Sequence, residues 1–197
     1  IRDRRIIFNG NGYEDAWVQE AQRRGLSNLT CTADALKTYL EPKHIALFSK
    51  HGVFTREELT ARNEIHLENY CEGIEARTMI DMVKRDLFPA VSSYAAEVAS
   101  SIAVKQSVIA ELDCGAEEKL LRRLSALTGE MMKQCEALEA ALATPHGGDA
   151  YEAAHYYKYT VFATMSDLRA AVDELETITS SEYWPYPSYT DLLFSVK

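Results

Sequence analysis

A carboxylate and a guanidinium stand four residues apart in the stretch Thr78-Met-Ile-Asp-Met-Val-Lys-Arg-Asp86. On a helix this spacing brings Asp81 and Arg85 to one face, where the pair could serve a binding site or an interface. The simpler interpretation is an ion pair within the helix, which stabilises it by about 0.3–0.5 kcal/mol. The spacing therefore predicts a structural ion pair and leaves a functional one open.

Backbone amides near the N-terminus could bind a phosphate group. The stretch Asn9-Gly-Asn-Gly12 follows a short apolar run, Arg5-Ile-Ile-Phe8, and this order predicts an extended segment followed by a loop. Glycine-rich loops can cradle phosphates with their N–H groups. This loop lacks the lysine and the spacing of a P-loop, and it lacks the third glycine of a dinucleotide fingerprint. An ordinary turn is the favoured interpretation.

Histidine and cysteine residues are too dispersed to suggest a metal site. No two histidines stand four residues apart, and the cysteines contain no CxxC pair. The residues are His44, His51, His66, His146 and His155, with Cys31, Cys71, Cys114 and Cys135. We expect free, partly buried thiols. The motifs of α/β-hydrolases and zinc proteases do not occur, so the residues alone predict no catalytic, cofactor-binding or metal site.

Composition and charge narrow the class of protein. The chain has 197 residues, of which 47% are hydrophobic, and this length allows one domain with a substantial core. A net charge of −9 argues against nucleic acid and anionic lipid as main partners, because an acidic surface repels both. No apolar run approaches the roughly 18 residues that span a bilayer, and no signal peptide is evident. We therefore expect a cytoplasmic protein, and the first residue, Ile1, suggests a processed product or an excised fragment.

One helix start is clearly marked in the sequence. Thr55-Arg-Glu-Glu58 fits a capping box, in which each of the two end residues accepts a hydrogen bond from the backbone amide of the other. Phe54 and Leu59 fit the hydrophobic staple that accompanies such a box. Short helices are predicted before this point, the first of them ending at Gly25.

Apolar residues recur every three or four positions over most of the chain beyond residue 55. The pattern predicts helical elements over 55–112, 116–143 and 150–179. Pro89 removes one amide donor from the first element, so we expect a kink or break near residues 86–88. The element either bends there and pairs with itself, which we favour, or forms one long spine. The predicted fold class is mainly α: an antiparallel bundle or coiled-coil hairpin of long helices after an irregular N-terminal segment.

The chain ends on an aromatic strip, Glu182-Tyr-Trp-Pro-Tyr-Pro-Ser-Tyr-Thr-Asp-Leu-Leu-Phe194. Pro185 and Pro187 favour extended backbone, so the last helix must end before them and the tail should run over a surface. That surface is either the chain's own bundle or another part of a larger assembly. The residues with possible interface or docking roles are Tyr183, Trp184, Pro185, Tyr186, Tyr189 and Phe194.

Several of these stretches together resemble the C-terminal region of type III glutamine synthetases. The resembling segments are 5–13, 51–55, 78–86 with 89–92, and 182–185 with 191–194, in the family's order. The resemblance implies that the parent is a cytoplasmic, ATP-dependent glutamate–ammonia ligase, a large ring-based homo-oligomer that uses Mg²⁺ or Mn²⁺ and forms glutamine through a γ-glutamyl phosphate. It also implies that the family's catalytic and metal-binding residues lie upstream. No such residue is therefore assigned to any position in this chain.

Three hypotheses follow, the first two from different classes. The first is a non-catalytic C-terminal helical domain of such a ligase, inactive alone, with the ligase's catalytic domain and other subunits as partners. The alternative is an independent helical module that binds another protein; a ligand or regulator held between the helices is a third. The predicted parts are an N-terminal segment with short helices (1–53) packing on the catalytic domain, a long-helix bundle (54–181) and an extended aromatic tail (182–197).

Overall fold

The computed structural model describes residues 8–144 and 148–194, and it is mainly α. The predicted fold class is confirmed at this level, and no β-strand occurs among the described residues. The chain divides into two compact units, Ile1–Tyr70 and Cys71–Lys197. Most of the predicted extended run at Arg5-Ile-Ile-Phe8 lies outside the described residues, and so does His146.

The first unit is built from short helices. They are α1 (Asp15–Arg23), α2 (Thr32–Lys37), α3 (Pro42–Lys50) and α4 (Arg56–Tyr70). Both α2 and α3 pack against α4, in which Leu59 and Leu67 are buried. This places α4 with the short helices, whereas the sequence predicted a boundary between residues 53 and 54. The capping box marks where a helix starts, but tertiary contacts decide which unit the helix joins.

The start of α4 follows the predicted capping box. The Thr55 amide donates to Glu58 Oε2 at 2.8 Å, and the Glu58 amide donates to Thr55 Oγ1 at 3.2 Å. The hydrogen bond from the Thr55 backbone is the main cause of a lowered pKa at the Glu58 carboxyl. At the end of α1, Gly25 has a φ of +74°, as expected for a helix-terminating glycine.

The second unit contains the long helices. Its helices are α5 (Ile74–Met82), α6 (Phe88–Val108), α7 (Gly115–Ala143), α8 (Ala150–Tyr156), α9 (Phe162–Ile178) and α10 (Tyr189–Leu193). A π-helical turn, Val83–Leu87, joins α5 directly to α6, and another, Tyr157–Val161, joins α8 to α9. The helices predicted over 116–143 and 150–179 are thus present, the latter with a π turn inside it.

The first long element does not bend back on itself at Pro89, and that prediction is wrong. Residues 74–108 are helical throughout, and the interruption falls earlier, at residues 71–73. The irregularity expected near Pro89 takes the form of the π turn, in which the Phe88 amide donates to the Val83 carbonyl five residues back. Pro89 has no N–H to donate, and the π turn lies directly before it in a helix that continues to Val108.

The core of the second unit lies along α7, which packs against α6 on one side and α9 on another. Its most buried large side chains include Val91, Leu124, Met131, Leu138, Leu168 and Leu175. All belong to the periodic apolar positions of the sequence, and each fully buried aliphatic side chain contributes about 1.5–3 kcal/mol. Ion pairs join the helices at the surface: Lys84 with Glu139 at 2.5 Å, Lys105 with Glu117, and Arg123 with Glu174.

One helical stretch is long and apolar enough, by length and composition alone, to cross a membrane. Within Arg56–Val108 an 18-residue window has a mean hydropathy of 1.3, and only 17% of that window is buried. The sequence has no unbroken apolar run of this length, and scattered valines and alanines raise the mean hydropathy of the window. A single window of this kind is weak evidence for a membrane span. It does identify an apolar helical surface that the chain leaves exposed.

Candidate functional site

Two of the stretches singled out in the sequence meet on the surface of the second unit. The Tyr186 hydroxyl in the tail donates to Asp86 Oδ2 at 2.8 Å, across a separation of 100 residues. Asp86 lies in the π turn between α5 and α6, at the end of the Thr78–Asp86 stretch. The aromatic tail is therefore attached to the helical irregularity that precedes Pro89.

The first part of the tail lies along the chain's own helices. Tyr183 packs against Tyr94 of α6, with ring centroids 5.5 Å apart. A hydrogen bond with Glu97 is the main cause of a raised pKa at Tyr183. Trp184 and Tyr186 are partly buried and pack against the core of the unit. Of the two surfaces considered for the tail, these three residues contact the chain's own helices.

The local sequence explains this path. Helix α9 ends at Ile178, and Thr179 is already extended, with a ψ of 137°. Pro185 and Pro187 then exclude further helix around them, because each fixes φ and lacks an N–H. After α9 the chain makes a turn, in which the Tyr183 and Trp184 amides donate to the Ser180 carbonyl at 2.9 and 3.0 Å. The tail then passes from Tyr94 of α6 to Asp86 in the π turn.

The end of the tail behaves differently from its beginning. Ser188 and Asp191 form a capping box that starts α10. Beyond it, Leu193 and Phe194 are 73% and 75% exposed. The side chain of Tyr189 lies outside the described part of the structure. The predicted docking residues therefore separate into an anchored group, ending at Tyr186, and an exposed apolar end.

The surroundings of Tyr186 determine the protonation state of its hydroxyl group. Burial, and then the hydrogen bond to Asp86, raise the pKa of Tyr186 from 10 to about 12. A phenol with this pKa remains protonated at neutral pH, so it acts as a hydrogen-bond donor to the carboxylate. The hydrogen bond between Tyr186 and Asp86 attaches the tail to the helix. Because it stays protonated, Tyr186 does not act as a base or nucleophile.

Removing the Tyr186 hydroxyl tests this attachment. We expect Tyr186→Phe to lower the free energy of unfolding at neutral pH by about 0.5–1.5 kcal/mol, because one hydrogen bond is lost. The pKa of Tyr186 is higher in the folded state than in the unfolded state. The extra stability of the wild type is therefore complete below pH 10 and is lost as the pH rises towards about 12. Urea unfolding of both proteins between pH 7 and 12 measures the difference. A constant difference across that range would contradict the assignment.

The other candidate residues lie apart from this contact. Arg85 Nε is 3.4 Å from Asp81 Oδ1 within the same helix, and both side chains are largely exposed. Asn9-Gly-Asn-Gly12 is an exposed loop in the first unit, where Asn11 Oδ1 accepts a hydrogen bond from the Tyr13 amide at 3.1 Å. This is an Asx turn, in keeping with the favoured interpretation of the loop.

The cysteines and the possible metal ligands of the chain form no common site among the described residues. The four cysteines are free, and Cys114 and Cys135 are buried, so the predicted state of the thiols is confirmed. Within the described ranges, no group of three or more His, Cys, Asp or Glu side chains could hold a metal ion. We therefore place no cation among the residues that the structure describes.

Sequence reasoning did not find Asp86, Tyr94 and Glu97 as partners of the tail. Asp86 is the last residue of the stretch that contains the predicted ion pair, and nothing in that stretch indicates a distant partner. The two unusual stretches could have suggested the contact, because each contains polar or aromatic residues to which the local sequence assigns no role. Nothing in local spacing, however, indicates which distant residue a tyrosine meets.

Fold and site together define a mainly helical domain whose aromatic tail is attached at Asp86, in the π turn before α6. Residues 1–106 match the family model described as the glutamine synthetase C-terminal domain. The chain belongs to this family, as the resemblance predicted, and the alternative of an independent interaction module is not favoured.

Similar full-length proteins agree with this. A glutamine synthetase of Butyrivibrio fibrisolvens is 38% identical over 200 residues, covering 100% of this chain and 29% of that protein. A type-3 glutamine synthetase of Dictyostelium discoideum is 29% identical, covering 98% and 27%. A glutamine synthetase of Bacteroides fragilis is 30% identical, covering 96% and 27%. The chain thus spans less than a third of the length of these relatives.

Proposed function

We propose that this chain is the non-catalytic C-terminal helical region of a cytoplasmic, ATP-dependent glutamate–ammonia ligase, and that it supports the packing of subunits or rings. The observation that carries the proposal is the contact between Tyr186 and Asp86. It joins Asp86, at the end of one stretch by which the chain resembles its family, to Tyr186, which lies between the two resembling parts of the tail. In this proposal ATP and Mg²⁺ or Mn²⁺ are bound by the ligase's catalytic part.

We further infer that the second unit is an antiparallel bundle of long helices. The ion pair between Lys105 and Glu117 links the end of α6 to the start of α7. Lys84, just before α6, pairs with Glu139 near the far end of α7. These two pairs support opposite directions for α6 and α7, which is the arrangement that suits a rigid packing element.

The exposed end of the tail is the part available to the rest of the ligase. Leu193 and Phe194 project from α10 with most of their surface in solvent, whereas Tyr186 is held on the bundle. An aromatic or aliphatic side chain of this kind gains contact area at small entropic cost when it docks. We propose that these two residues contact the catalytic part or a neighbouring subunit.

Activity measurements test the assignment. The 197-residue chain, supplied with glutamate, ammonia, ATP and Mg²⁺, is expected to form no glutamine. A longer polypeptide that continues upstream of Ile1 into the ligase's metal and ATP motifs is expected to form it under the same conditions. Glutamine formation by the chain alone would overturn the proposal, and so would an upstream reading frame that lacks those motifs.

A further inference from the structure

Two Asn-Gly pairs follow each other in the loop before α1, at Asn9-Gly10 and Asn11-Gly12. All four residues are exposed. An asparagine that precedes glycine is especially prone to lose its side-chain amide, because glycine has no Cβ to keep its backbone nitrogen away from the asparagine Cγ. The sequence of the loop alone therefore makes the two asparagines equally reactive.

The structure restrains the second asparagine. Asn11 Oδ1 accepts a hydrogen bond from the Tyr13 amide at 3.1 Å, and Asn11 Nδ2 donates to Glu14 Oε1 at 3.2 Å. The Asn11 carbonyl also accepts from the Glu14 amide at 3.3 Å. The two side-chain hydrogen bonds must break before the Asn11 amide group can turn freely towards the Gly12 nitrogen, so this turn protects Asn11.

The first asparagine has no such restraint. Neither the Asn9 side chain nor the Gly10 amide forms a hydrogen bond to another described residue. The residue before them is held in place, because the Phe8 ring packs on Trp17 with ring centroids 4.9 Å apart. A Cβ at position 10 would lie 2.7 Å from the Phe8 ring, so this packing favours glycine there. Asn9 is thus exposed and unrestrained, beside a glycine that the local packing favours.

We propose that Asn9 is a site of spontaneous deamidation and that Asn11 is protected from it. The Gly10 nitrogen gives its proton to a base and attacks Asn9 Cγ. The bond between this nitrogen and Cγ forms, the Cγ–Nδ2 bond breaks, and the side-chain nitrogen leaves as ammonia. Water then opens the resulting succinimide at either carbonyl, which gives an aspartyl or an isoaspartyl residue at position 9. The reaction needs only base and water.

The modification changes the loop in two ways. It adds a negative charge next to Phe8, in a chain whose net charge is −9. In the isoaspartyl product the backbone also runs through the former side chain and is one methylene longer. Both changes fall within residues 5–13, a segment by which the chain resembles its family. The inference goes beyond the proposed function and does not depend on it.

Peptide mass spectrometry tests the difference between the two asparagines. The folded 197-residue chain is kept at mildly alkaline pH and digested with trypsin, which leaves both asparagines in one peptide, residues 6–23. Deamidation raises the mass by about 1 Da, fragment ions assign it to position 9 or 11, and a sample digested at time zero is subtracted. We expect Asn9 to react at least about tenfold faster than Asn11, because only Asn11 must first break two hydrogen bonds.

A denaturant control and two variants accompany this measurement. In urea the two asparagines are expected to react at similar rates, since unfolding removes the hydrogen bonds of the loop. Glu14→Ala removes the acceptor of the Asn11 amide and should raise the rate at Asn11 by about twofold or more, with the rate at Asn9 unchanged. Asn9→Gln should abolish the modification at position 9, because the longer side chain forms the cyclic product far more slowly.

Several outcomes would overturn the inference. They are equal rates in the folded chain, a faster reaction at Asn11, reaction of both asparagines in urea alone, and a rate at Asn11 that Glu14→Ala leaves unchanged. Circular dichroism verifies that each variant is folded. None of these results bears on the ligase assignment, which fails only if the chain alone forms glutamine or if the upstream motifs are missing.

Discussion

Replacing Gly73 with alanine is expected to lower the free energy of unfolding of the second unit by about 1–3 kcal/mol. Gly73 immediately precedes α5 and has a φ of +64°, in the left-handed region that a side chain disfavours. An added Cβ would lie 2.7 Å from the Tyr157 hydroxyl oxygen and 3.2 Å from a methyl group of Leu142. Backbone strain and crowding therefore act in the same direction, in the gap that separates α5 from α4.

Gly129→Ala is the control, and it is expected to change the free energy of unfolding in the opposite direction. It lies inside α7, and an added Cβ would meet nothing within 4 Å. Alanine there should raise the free energy of unfolding by about 0.5–1 kcal/mol, because it favours the helix and restricts the unfolded chain. The chain has only two tryptophans, so a Trp17→Phe background leaves Trp184 to report urea unfolding of the second unit. A neutral or stabilising Gly73→Ala would show that the left-handed conformation is not required.

Local signals in the sequence predicted much of the fold. The capping box at Thr55, the terminating Gly25 and the periodic apolar positions of α7 depend on residues that are neighbours in sequence or on one helix face. Such features are encoded within a few turns, so spacing and residue type are sufficient to predict them. The apolar positions also predicted the core, since a stripe on a long helix must be buried against something.

Features that depend on distant contacts could not be predicted in the same way. The break before α5 depends on how Tyr157 and Leu142 leave room for Gly73, and the absence of a fold-back at Pro89 depends on the π turn before it. The same holds for the hydrogen bond between Tyr186 and Asp86, whose partners are 100 residues apart. In each of these three cases, several tertiary arrangements are compatible with the same local sequence, so spacing and residue type cannot distinguish them.

The contact between the tail and Asp86 involves parts of the chain that the family resemblance also marks. The chain resembles its family at residues 78–86, 182–185 and 191–194, among other segments, and the resemblance gives these residues no physical role. Contact geometry then supplied a physical role for part of each, because the tail is anchored at Asp86. The pair Asp81 and Arg85 has no such contact with the tail: it is exposed and lies within one helix, where ion pairs contribute little to stability.

Replacing Leu168 with alanine is expected to have the largest effect on stability, a loss of about 2–5 kcal/mol in the free energy of unfolding of the second unit. Leu168 lies in α9, is 0% exposed and belongs to the core that α9 forms with α7. The substitution removes the transfer free energy of the side chain and leaves a cavity that long, mutually packed helices can fill only in part. Urea unfolding, followed by Trp184 fluorescence in the Trp17→Phe background, measures the change.

Leu193→Ala is the matched control for this prediction, since the same chemical change is made at a residue that is 73% exposed. It should alter the free energy of unfolding of the isolated chain by no more than about 0.5 kcal/mol. A large loss at Leu193 together with a small one at Leu168 would contradict the placement of the core between α7 and α9. A large loss at Leu193 only in the longer ligase polypeptide would instead support docking of the exposed tail, because the side chain would then be buried by residues outside this chain.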